Sequence, residues 1–305
     1  MVSSGVWAEH IPVSRAHDLK EVPTVASLPT ATSVPETMKS ALQKIDYLGP
    51  VPCSYKETPM AAHFELHIEQ GPHLISAGQR VGVVTAVQAY RWYRLNIIGR
   101  DTHTGTTSFQ HRADALYAFA RMMVRAREIA ASQNCLASVG IVEVKPGSVN
   151  TVPGLVSFTL DIRGPGTDMV QSVENGLRRE FDAIAAEEGK GIGKSCRVEW
   201  VLDFDSPAIK FHESCIGCVQ QSAEAVVADD ASVADSKSLV RTIMSGAGHD
   251  SVFTSKRVPT SMIFVPCRDG LSHHPEEYCS AGDCATGASV ILQAVIRYDR
   301  KRFAA

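Results

Sequence analysis

Between residues 90 and 202 the sequence alternates strand and helix patterns in an order that restricts the possible folds. Two segments, 112–132 and 168–189, carry apolar residues at helical spacing, and Gly189 ends the second. Strand patterns precede, separate and follow these helices in the stretches "RWYRLNIIG", "LASVGIVEVK", "LVSFTLDIR" and "SCRVEWVLDF". The order β-α-β-β-α-β predicts a compact antiparallel sheet with two helices on one face, which is the split ferredoxin-like unit.

The segments on either side of this unit have a different composition. The first 60 residues are rich in proline and contain one helix pattern, "SVPETMKSALQKIDYLGP", in which Ser33 and Glu36 have the spacing of a capping box. Later come a helix pattern at about 212–227, the apolar strand "TSMIFVPC" and a final helix at about 281–301. We therefore predict an α/β body, residues 1–87 and 205–305, interrupted by an inserted α+β lid, residues 88–204. Such a lid is a good place to bury a small ligand.

Charge and hydropathy argue against two classes of partner. The 305 residues carry a formal net charge of -3 with mixed signs, so neither nucleic acid nor an anionic membrane is an expected partner. No run of about 18 apolar residues exists, and the first residues do not form a signal peptide. Eight widely spread cysteines do not look like a disulfide scaffold, and the C-x-x-C of Cys215 and Cys218 falls in a helix pattern. The cysteines indicate a reducing compartment, with the cytoplasm as the default.

The candidate chemistry centres on the stretch "HFELHIEQGPH", residues 63–73. In a strand alternate side chains share a face, so His63, Glu65, His67 and Glu69 would form a polar row opposite the apolar residues. The histidines of the chain concentrate around 63–73, 103–111 and 249–274. Neutral imidazole is the commonest transition-metal ligand, although a histidine taken alone is more often a surface or core residue. Spacing alone does not decide between these roles, and His63 and His73 are expected to be surface residues.

Four stretches together resemble one family. They are "HFELHIEQGPHL", "GRDTHTGTTSFQHRADAL", "GSVNTVPGLVSFTLDIR" and "MSGAGHDS" followed by "SMIFVPCRDGLSHHPEE". In this order they are similar to the N-carbamoyl-amino-acid hydrolase, β-ureidopropionase and allantoate amidohydrolase branch of the zinc aminoacylase/carboxypeptidase superfamily. The resemblance runs from about residue 5 to the end of the sequence. It implies an aminopeptidase-like metallohydrolase body and a ferredoxin-like lid through which the chain forms a homodimer.

The resemblance also implies which residues form the site. The two matched metal ligands are His67 and His273. The matched substrate-binding residues are Gln70, Asn150, Arg163 and His249. Of these, Asn150 and Arg163 grip a carboxylate, which suits the bidentate fork of a guanidinium. The matched catalytic residue is His103, a lid histidine that reaches the partner subunit's active site and steadies the developing oxyanion. Without the resemblance, Asn150 is interpreted as a turn residue and Arg163 as a solvent-exposed strand end.

The implied activity is hydrolysis of C–N bonds in linear amides and amidines. The implied substrates are N-carbamoyl-amino acids or ureido acids, small compounds that carry a carboxylate. Two Zn²⁺ or Mn²⁺ ions would activate the attacking water, with a glutamate as base. The forms "LHIEQG" and "GTT" favour this branch over peptidases of the same superfamily.

One departure from the family pattern defines an alternative. The family's H-x-D motif, its bridging aspartate and its catalytic Glu-Glu pair have no counterpart in the expected order. We therefore expect the sequence to correspond to a C-terminal portion of the family's chain, with a lid that folds well and a body that folds poorly. The alternative function is a non-catalytic dimerising protein that keeps the lid and has lost turnover.

Overall fold

The computed structural model describes residues 1–21, 35–228 and 236–303, and its fold is α/β. The chain divides into two compact units. One, called here the body, comprises Met1–Ala86 and Lys210–Ala305, and the other, called the insert, comprises Val87–Ile209. The sequence placed these divisions after residue 87 and before residue 205.

The insert contains a five-stranded antiparallel sheet and two long helices. Its strands are β3 (Ala89–Ile98), β4 (Thr102–His103), β5 (Leu136–Ser138), β6 (Val142–Lys145), β7 (Thr151–Val152), β8 (Leu155–Gly164) and β9 (Arg197–Ser206). Its helices are α5 (Ala115–Ser132) and α6 (Thr167–Glu187). Strands β5 and β6 both pair with β8, which pairs with β3, which pairs with β9, while β4 and β7 form a separate two-stranded sheet.

Alternation along β8 determines which face of this sheet carries the core. Val156, Phe158, Leu160 and Ile162 are buried, whereas the residues between them are only partly covered. The buried side chains join those of α5 and α6 in one hydrophobic cluster, so both helices lie on the same face. Along the chain the elements run β3, β4, α5, β5, β6, β7, β8, α6 and β9. The predicted strand "LASVGIVEVK" is thus two strands, β5 and β6, and the short strands β4 and β7 are additional to the predicted β-α-β-β-α-β order.

The body contains a second sheet, also of five strands. Its strands are β1 (His63–Ile68), β2 (Val81–Val87), β10 (Ile209–Lys210), β11 (Val240–Ser245) and β12 (Thr260–Val265). Its helices are α1 (Val2–Trp7), α2 (Val13–His17), α3 (Met38–Lys44), α4 (His73–Ser76), α7 (Glu213–Val227), α8 (Ser251–Thr254) and α9 (Ala281–Phe303). The sheet order is β1-β12-β2-β10, with β11 also paired to β2.

Strand β12 lies between β1 and β2 in this sheet and is buried along its whole length. It runs parallel to β1, with His67 beside Phe264, and antiparallel to β2. A strand buried on both faces shows a continuous apolar run, which is what "TSMIFVPC" predicts. Helices α7 and α9 contact β12, and α9 also contacts β1.

Helix α3 begins later than the sequence predicts. Its first residue is Met38, and Thr37 and Ser40 form the capping box. The expected capping residue Ser33 lies outside the described residues. No residue of α3 is buried, so its local cap rather than a core contact determines where it starts.

Within the described residues, none of the helices is both long enough and apolar enough to cross a membrane.

Candidate metal centre

The two faces of β1 have different environments. On one face Phe64 and Leu66 pack against the hydrophobic cluster of the body, and the Phe64 ring lies 5.8 Å from the ring of Tyr298. The opposite face, with Glu65 and His67, is turned toward the segment around α8. The alternation in the sequence therefore predicted both faces of this strand.

Glu65, His67 and His249 form a compact group of possible metal ligands. One ligand atom from each residue lies within 4.8 Å of the others. The rings of His67 and His249 have centroids 4.7 Å apart, and Nδ1 of His249 lies 3.9 Å from Oε1 of Glu65. Two of these residues are neighbours on one strand, and the third is delivered by the loop that precedes α8.

Hydrogen bonds outside the group orient Glu65 and His67. The Oε2 atom of Glu65 accepts the backbone N–H of Ser251 at 2.9 Å and its hydroxyl at 2.6 Å. The other carboxylate oxygen, Oε1, faces His249. Nδ1 of His67 lies 2.8 Å from the carbonyl oxygen of Ile68, which can only accept, so Nδ1 carries the proton. Nε2 of His67 therefore presents its lone pair, the state that a metal ligand requires.

His249 is held in the neutral state by its surroundings. Its side chain is 2% exposed, and burial together with the neighbouring His67 lowers its pKa to about 4. Nε2 lies 2.7 Å from the hydroxyl oxygen of Ser245, and that hydroxyl donates to the carbonyl of Ala247 at 3.1 Å. The Nε2–H of His249 then donates to Ser245, which leaves the Nδ1 lone pair on the side of Glu65.

The donor set suits a borderline divalent ion. Two neutral imidazoles and one carboxylate are ligands that Zn²⁺ accepts in its catalytic sites, and imidazole with carboxylate also binds other transition metals. Each ligand has a second hydrogen bond that fixes its orientation, as metal sites require. The residues present therefore fit one ion.

The loop that carries His273 lies against the end of β1. Gly270 has a φ of +67°, and a Cβ on it would lie 2.6 Å from the backbone carbon of Gly71. Nε2 of Gln70 donates to the hydroxyl of Ser272 at 2.8 Å, which ties the end of β1 to this loop. A glycine is required at position 270 because the two segments approach too closely for a side chain.

His273 itself is exposed and is not among the three grouped residues of the described chain. Its backbone N–H donates to Oε2 of Glu277 at 3.1 Å. The pKa of the Glu277 carboxyl is lowered, first by the hydrogen bond from Ser272, and also by His273 and His67. The hydrogen bond from Gln70 and the approach of Gly270 to Gly71 are the contacts that hold this loop at the end of β1.

Two residues of the predicted polar row have structural roles. Glu69 is 8% exposed, and its carboxylate accepts the backbone N–H groups of His73 and Leu74 at 2.8 and 2.7 Å. It therefore caps the short helix α4. The expectation that His63 is a surface histidine is wrong, because it is half-buried, its Nδ1 lies 3.1 Å from the hydroxyl of Thr254, and burial lowers its pKa.

The insert brings two predicted site residues together. His103 in β4 pairs with Thr151 in β7, and the N–H of Thr104 donates to the carbonyl of Asn150 at 3.1 Å. Nδ1 of His103 accepts the N–H of Gly105 at 3.1 Å. The proton of the ring is therefore on Nε2, which can act as a hydrogen-bond donor. Both His103 and Asn150 are exposed.

Arg163 lies in the five-stranded sheet of the insert, near the end of β8 that is opposite Leu155. It pairs with Tyr90, whereas Leu155, at the His103 end of β8, pairs with Ile98. Leu155 and Arg163 are eight positions apart along β8, which is about 26 Å at the usual rise per residue. Its Nε and Nη2 bind the carboxylate of Asp161 at 2.7–3.0 Å, and the guanidinium lies over the Tyr90 ring. Arg163 therefore already holds one carboxylate, that of Asp161, in a bidentate contact.

Comparison with known proteins gives the same group of relatives by sequence and by structure. The model of peptidase family M20/M25/M40 matches residues 36–297. An N-carbamoyl-L-amino-acid amidohydrolase of Rhizobium meliloti is 34% identical over 257 residues, and an allantoate amidohydrolase of Escherichia coli is 33% identical over 232 residues. The crystal structure of an amidase of the hydantoinase/carbamoylase family from Burkholderia vietnamiensis matches with a TM-score of 0.81 at 33% identity.

These matches cover most of this chain and a smaller share of each relative. The alignments span 84% of this chain and 58% of the Rhizobium protein, and 75% of this chain and 53% of the Escherichia protein. The structural match covers 97% of this chain and 65% of the Burkholderia chain. The chain thus spans between half and two thirds of the length of these relatives.

Proposed function

This chain belongs to peptidase family M20/M25/M40, and from that premise we propose that it is a metal-dependent hydrolase of C–N bonds in linear amides and amidines. The names of the relatives, N-carbamoyl-L-amino-acid amidohydrolase and allantoate amidohydrolase, support a small carbamoyl or ureido substrate that carries a carboxylate. The relatives are considerably longer than this chain, so the substrate class remains part of the proposal.

The observation that carries the proposal is the group of Glu65, His67 and His249. We propose that these residues hold a Zn²⁺ or Mn²⁺ ion, with His273 from the adjacent loop as a further ligand. When bound, such an ion polarises an amide carbonyl and lowers the pKa of a water molecule. The chain's own contribution is to keep the His249 imidazole neutral and to orient each donor through Ile68, Ser245 and Ser251.

Gln70 and the insert supply the groups proposed to bind the substrate. Gln70 lies two residues after the end of β1 and three residues after the proposed ligand His67. Asp161 and the ring of Tyr90 fix the guanidinium plane of Arg163 before a ligand arrives. The Nε2–H of His103 can donate to an oxyanion, because Nδ1 already accepts the N–H of Gly105.

A homodimer formed through the insert is also part of the proposal. Strand β7, which begins one residue after Asn150 and pairs with His103 in β4, precedes the Leu155 end of β8, and Arg163 lies about 26 Å from Leu155 along β8. Two copies related by a twofold axis could bring the opposite ends of two sheets to one substrate. We further propose a reducing, cytoplasmic location, which is supported by the eight cysteines, none of which forms a disulfide.

Metal binding is the first test. The purified chain, stripped with a chelator, would be titrated by calorimetry with Zn²⁺ and, separately, with Mn²⁺. We expect one ion per chain at the group, and binding weakened by at least about tenfold in His67→Ala and in Glu65→Gln, because each removes a donor. His73→Ala is the matched control, since His73 is an exposed histidine of the same segment. Equal affinity in His67→Ala and in the unaltered chain would contradict the assignment.

Turnover is the second test. The metal-loaded chain would be incubated with N-carbamoyl-L-amino acids and with allantoate, and ammonia release measured. We expect release that is lost in His67→Ala and retained in His73→Ala. Metal binding without any turnover would instead favour the alternative, a non-catalytic dimerising protein.

A further inference from the structure

Cys279 and Cys284 place two sulfur atoms in contact at the surface of the body. Their Sγ atoms are 3.5 Å apart. Cys284 is exposed and Cys279 is half-buried, so an oxidant in solution can reach the pair. Five of the other six cysteines are buried, and Cys53 is exposed like Cys284. Neither member of the pair takes part in the metal group, and neither is used by the proposed function.

The start of α9 holds the two cysteines in this arrangement. Ser280 stands between them, and its hydroxyl accepts the N–H of Asp283 at 3.0 Å and donates to the Asp283 carboxylate. The N–H of Cys284 donates to the carbonyl of Ser280 at 3.0 Å. Cys284 is therefore fixed in the first turn of the helix and Cys279 directly before its cap. The sulfur atoms need to approach by about 1.5 Å to reach bonding distance, a movement that side-chain rotation can supply.

We propose that Cys279 and Cys284 are a disulfide-forming pair, a modification site that takes small disulfides such as oxidised glutathione as its oxidant. The Cys284 thiolate attacks one sulfur of the small disulfide, which forms a mixed disulfide and releases one thiolate. The sulfur of Cys279 then attacks the sulfur of Cys284, which forms the Cys279–Cys284 bond and releases the second thiolate. The two protons lost by the cysteines go to the two released thiolates. Two protein thiols are oxidised and one small disulfide is reduced to two thiols.

Exposure decides the order of these steps. Cys284 is the exposed thiol and meets the oxidant first. Burial, together with the neighbouring Cys284, raises the pKa of Cys279 to about 12, so Cys279 is a poor first nucleophile at neutral pH. Once Cys284 carries the mixed disulfide, Cys279 is already in contact with the sulfur that it must attack. Proximity then compensates for its small thiolate fraction.

The disulfide bond would join the end of the loop that carries His273 to helix α9. Residue 279 directly follows the segment 271–278, which carries His273, and the backbone N–H of Arg268 donates to the carbonyl of Tyr278 at 2.8 Å. The Arg268 guanidinium also lies 4.3 Å above the Tyr278 ring. Oxidation would therefore link the residue that follows this loop to the first turn of α9 and restrict the motion of the loop.

The test is a mass-spectrometric map of the oxidised protein. The native chain would be treated with oxidised glutathione at a concentration that modifies Cys53, alkylated, and digested with trypsin without reduction. Residues 269–297 form one tryptic fragment that contains Cys279, Cys284 and no other cysteine. We expect this fragment to lose two hydrogens and to take no alkyl group. Residues 45–56, with Cys53 alone, should carry glutathione.

Two outcomes would overturn the proposal. One is recovery of fragment 269–297 with both cysteines alkylated while Cys53 carries glutathione. The other is stable retention of glutathione on this fragment, which would show that Cys279 does not resolve the mixed disulfide. The variant Cys279→Ser provides the internal comparison, because it should trap glutathione on Cys284, and an unmodified Cys284 in that variant would likewise contradict the assignment.

Discussion

At the scale of single residues, Glu65 and His249 show how burial prepares a coordination group. Ser251 occupies one oxygen of Glu65 through two hydrogen bonds and leaves the other facing His249 at 3.9 Å. His249 is almost fully buried, so its imidazole remains neutral and keeps a lone pair available. The hydrogen bonds from Ser251 therefore orient the Glu65 carboxylate, and burial sets the neutral state of the His249 imidazole.

Acid should destabilise the metal-free protein through His249. Burial and His67 lower its folded-state pKa from 6.5 to about 4, while Glu65 and Asp250 act in the opposite direction. Above pH 6.5 both the folded and the unfolded chain hold this histidine neutral, so it contributes no pH dependence. Between pH 6.5 and 4 the unfolded chain binds a proton that the folded chain does not. The free energy of unfolding should fall by on the order of 2–3 kcal/mol across this range.

Urea denaturation at pH 7 and pH 4.5 in the presence of a chelator measures this effect. The variant His249→Asn lacks the titrating group. Between the two pH values its free energy of unfolding should therefore fall by less than that of the unaltered chain. The same pH dependence in both proteins would refute the assignment of the effect to His249.

Gly270→Ala should destabilise the body by more than a comparable glycine substitution. The φ of +67° and the 2.6 Å approach to the Gly71 and Pro72 backbone both oppose a side chain there. Gly78 is the matched control, because it has a φ of +64° but nothing within 4 Å of an added Cβ. Measured by urea denaturation, the free energy of unfolding should fall by about 1 kcal/mol in Gly78→Ala and by about 3 kcal/mol or more in Gly270→Ala. Equal losses of stability in the two variants would show that the loop containing Gly270 moves aside freely.

At the scale of the elements, local signals determine most boundaries and packing faces. Helices α7 and α9 occupy Glu213–Val227 and Ala281–Phe303, close to the predicted 212–227 and 281–301. Strands β10 and β11 are not predicted from the sequence. A two-residue strand such as β10 has no periodicity of its own, and it exists because its neighbour β2 pairs with it.

The N-cap of α5 should contribute measurably to the stability of the insert. The Asp114 carboxylate accepts the N–H groups of Leu116 and Tyr117 at 3.0 and 2.9 Å. Asp114→Ala should therefore lower the free energy of unfolding by about 1 kcal/mol, and Asp114→Asn by much less. Asp168→Ala is the control, because Asp168 is an exposed acid in the first turn of α6, where no side chain caps the helix. If Asp114→Ala lowers the free energy of unfolding by no more than Asp168→Ala does, Asp114 has no capping role.

At the scale of the whole molecule, each unit has a hydrophobic cluster of its own. The cluster of the insert includes residues from Ala89 to Ala208, all within the insert. The cluster of the body joins β1, β2 and β12 to α7 and α9. A separate core is the physical condition for a unit to fold by itself.

The insert, residues 87–209, should therefore fold as an isolated fragment. We expect a cooperative thermal unfolding transition by circular dichroism and dispersed amide signals by nuclear magnetic resonance. A fragment that unfolds without cooperativity would show that its core depends on the body. Sedimentation of the same fragment would test the proposed homodimer.

The sequence by itself determined which residues share a strand face and where the main helices lie. Strand and helix periods are local properties, so the alternation around His67 places Glu65 beside it without knowledge of the rest of the chain. The sequence also indicated the family, which the comparisons confirm.

Only the tertiary structure decided which partners these residues meet. His249 joins His67 because β12 pairs in parallel with β1 and the preceding helix α8 contacts both strands, and no local pattern encodes that contact. The same holds for Glu69, which was predicted to share the polar row of β1 and instead caps α4. Long-range contacts depend on how separate elements pair and pack, and that arrangement exists only once the whole chain has folded.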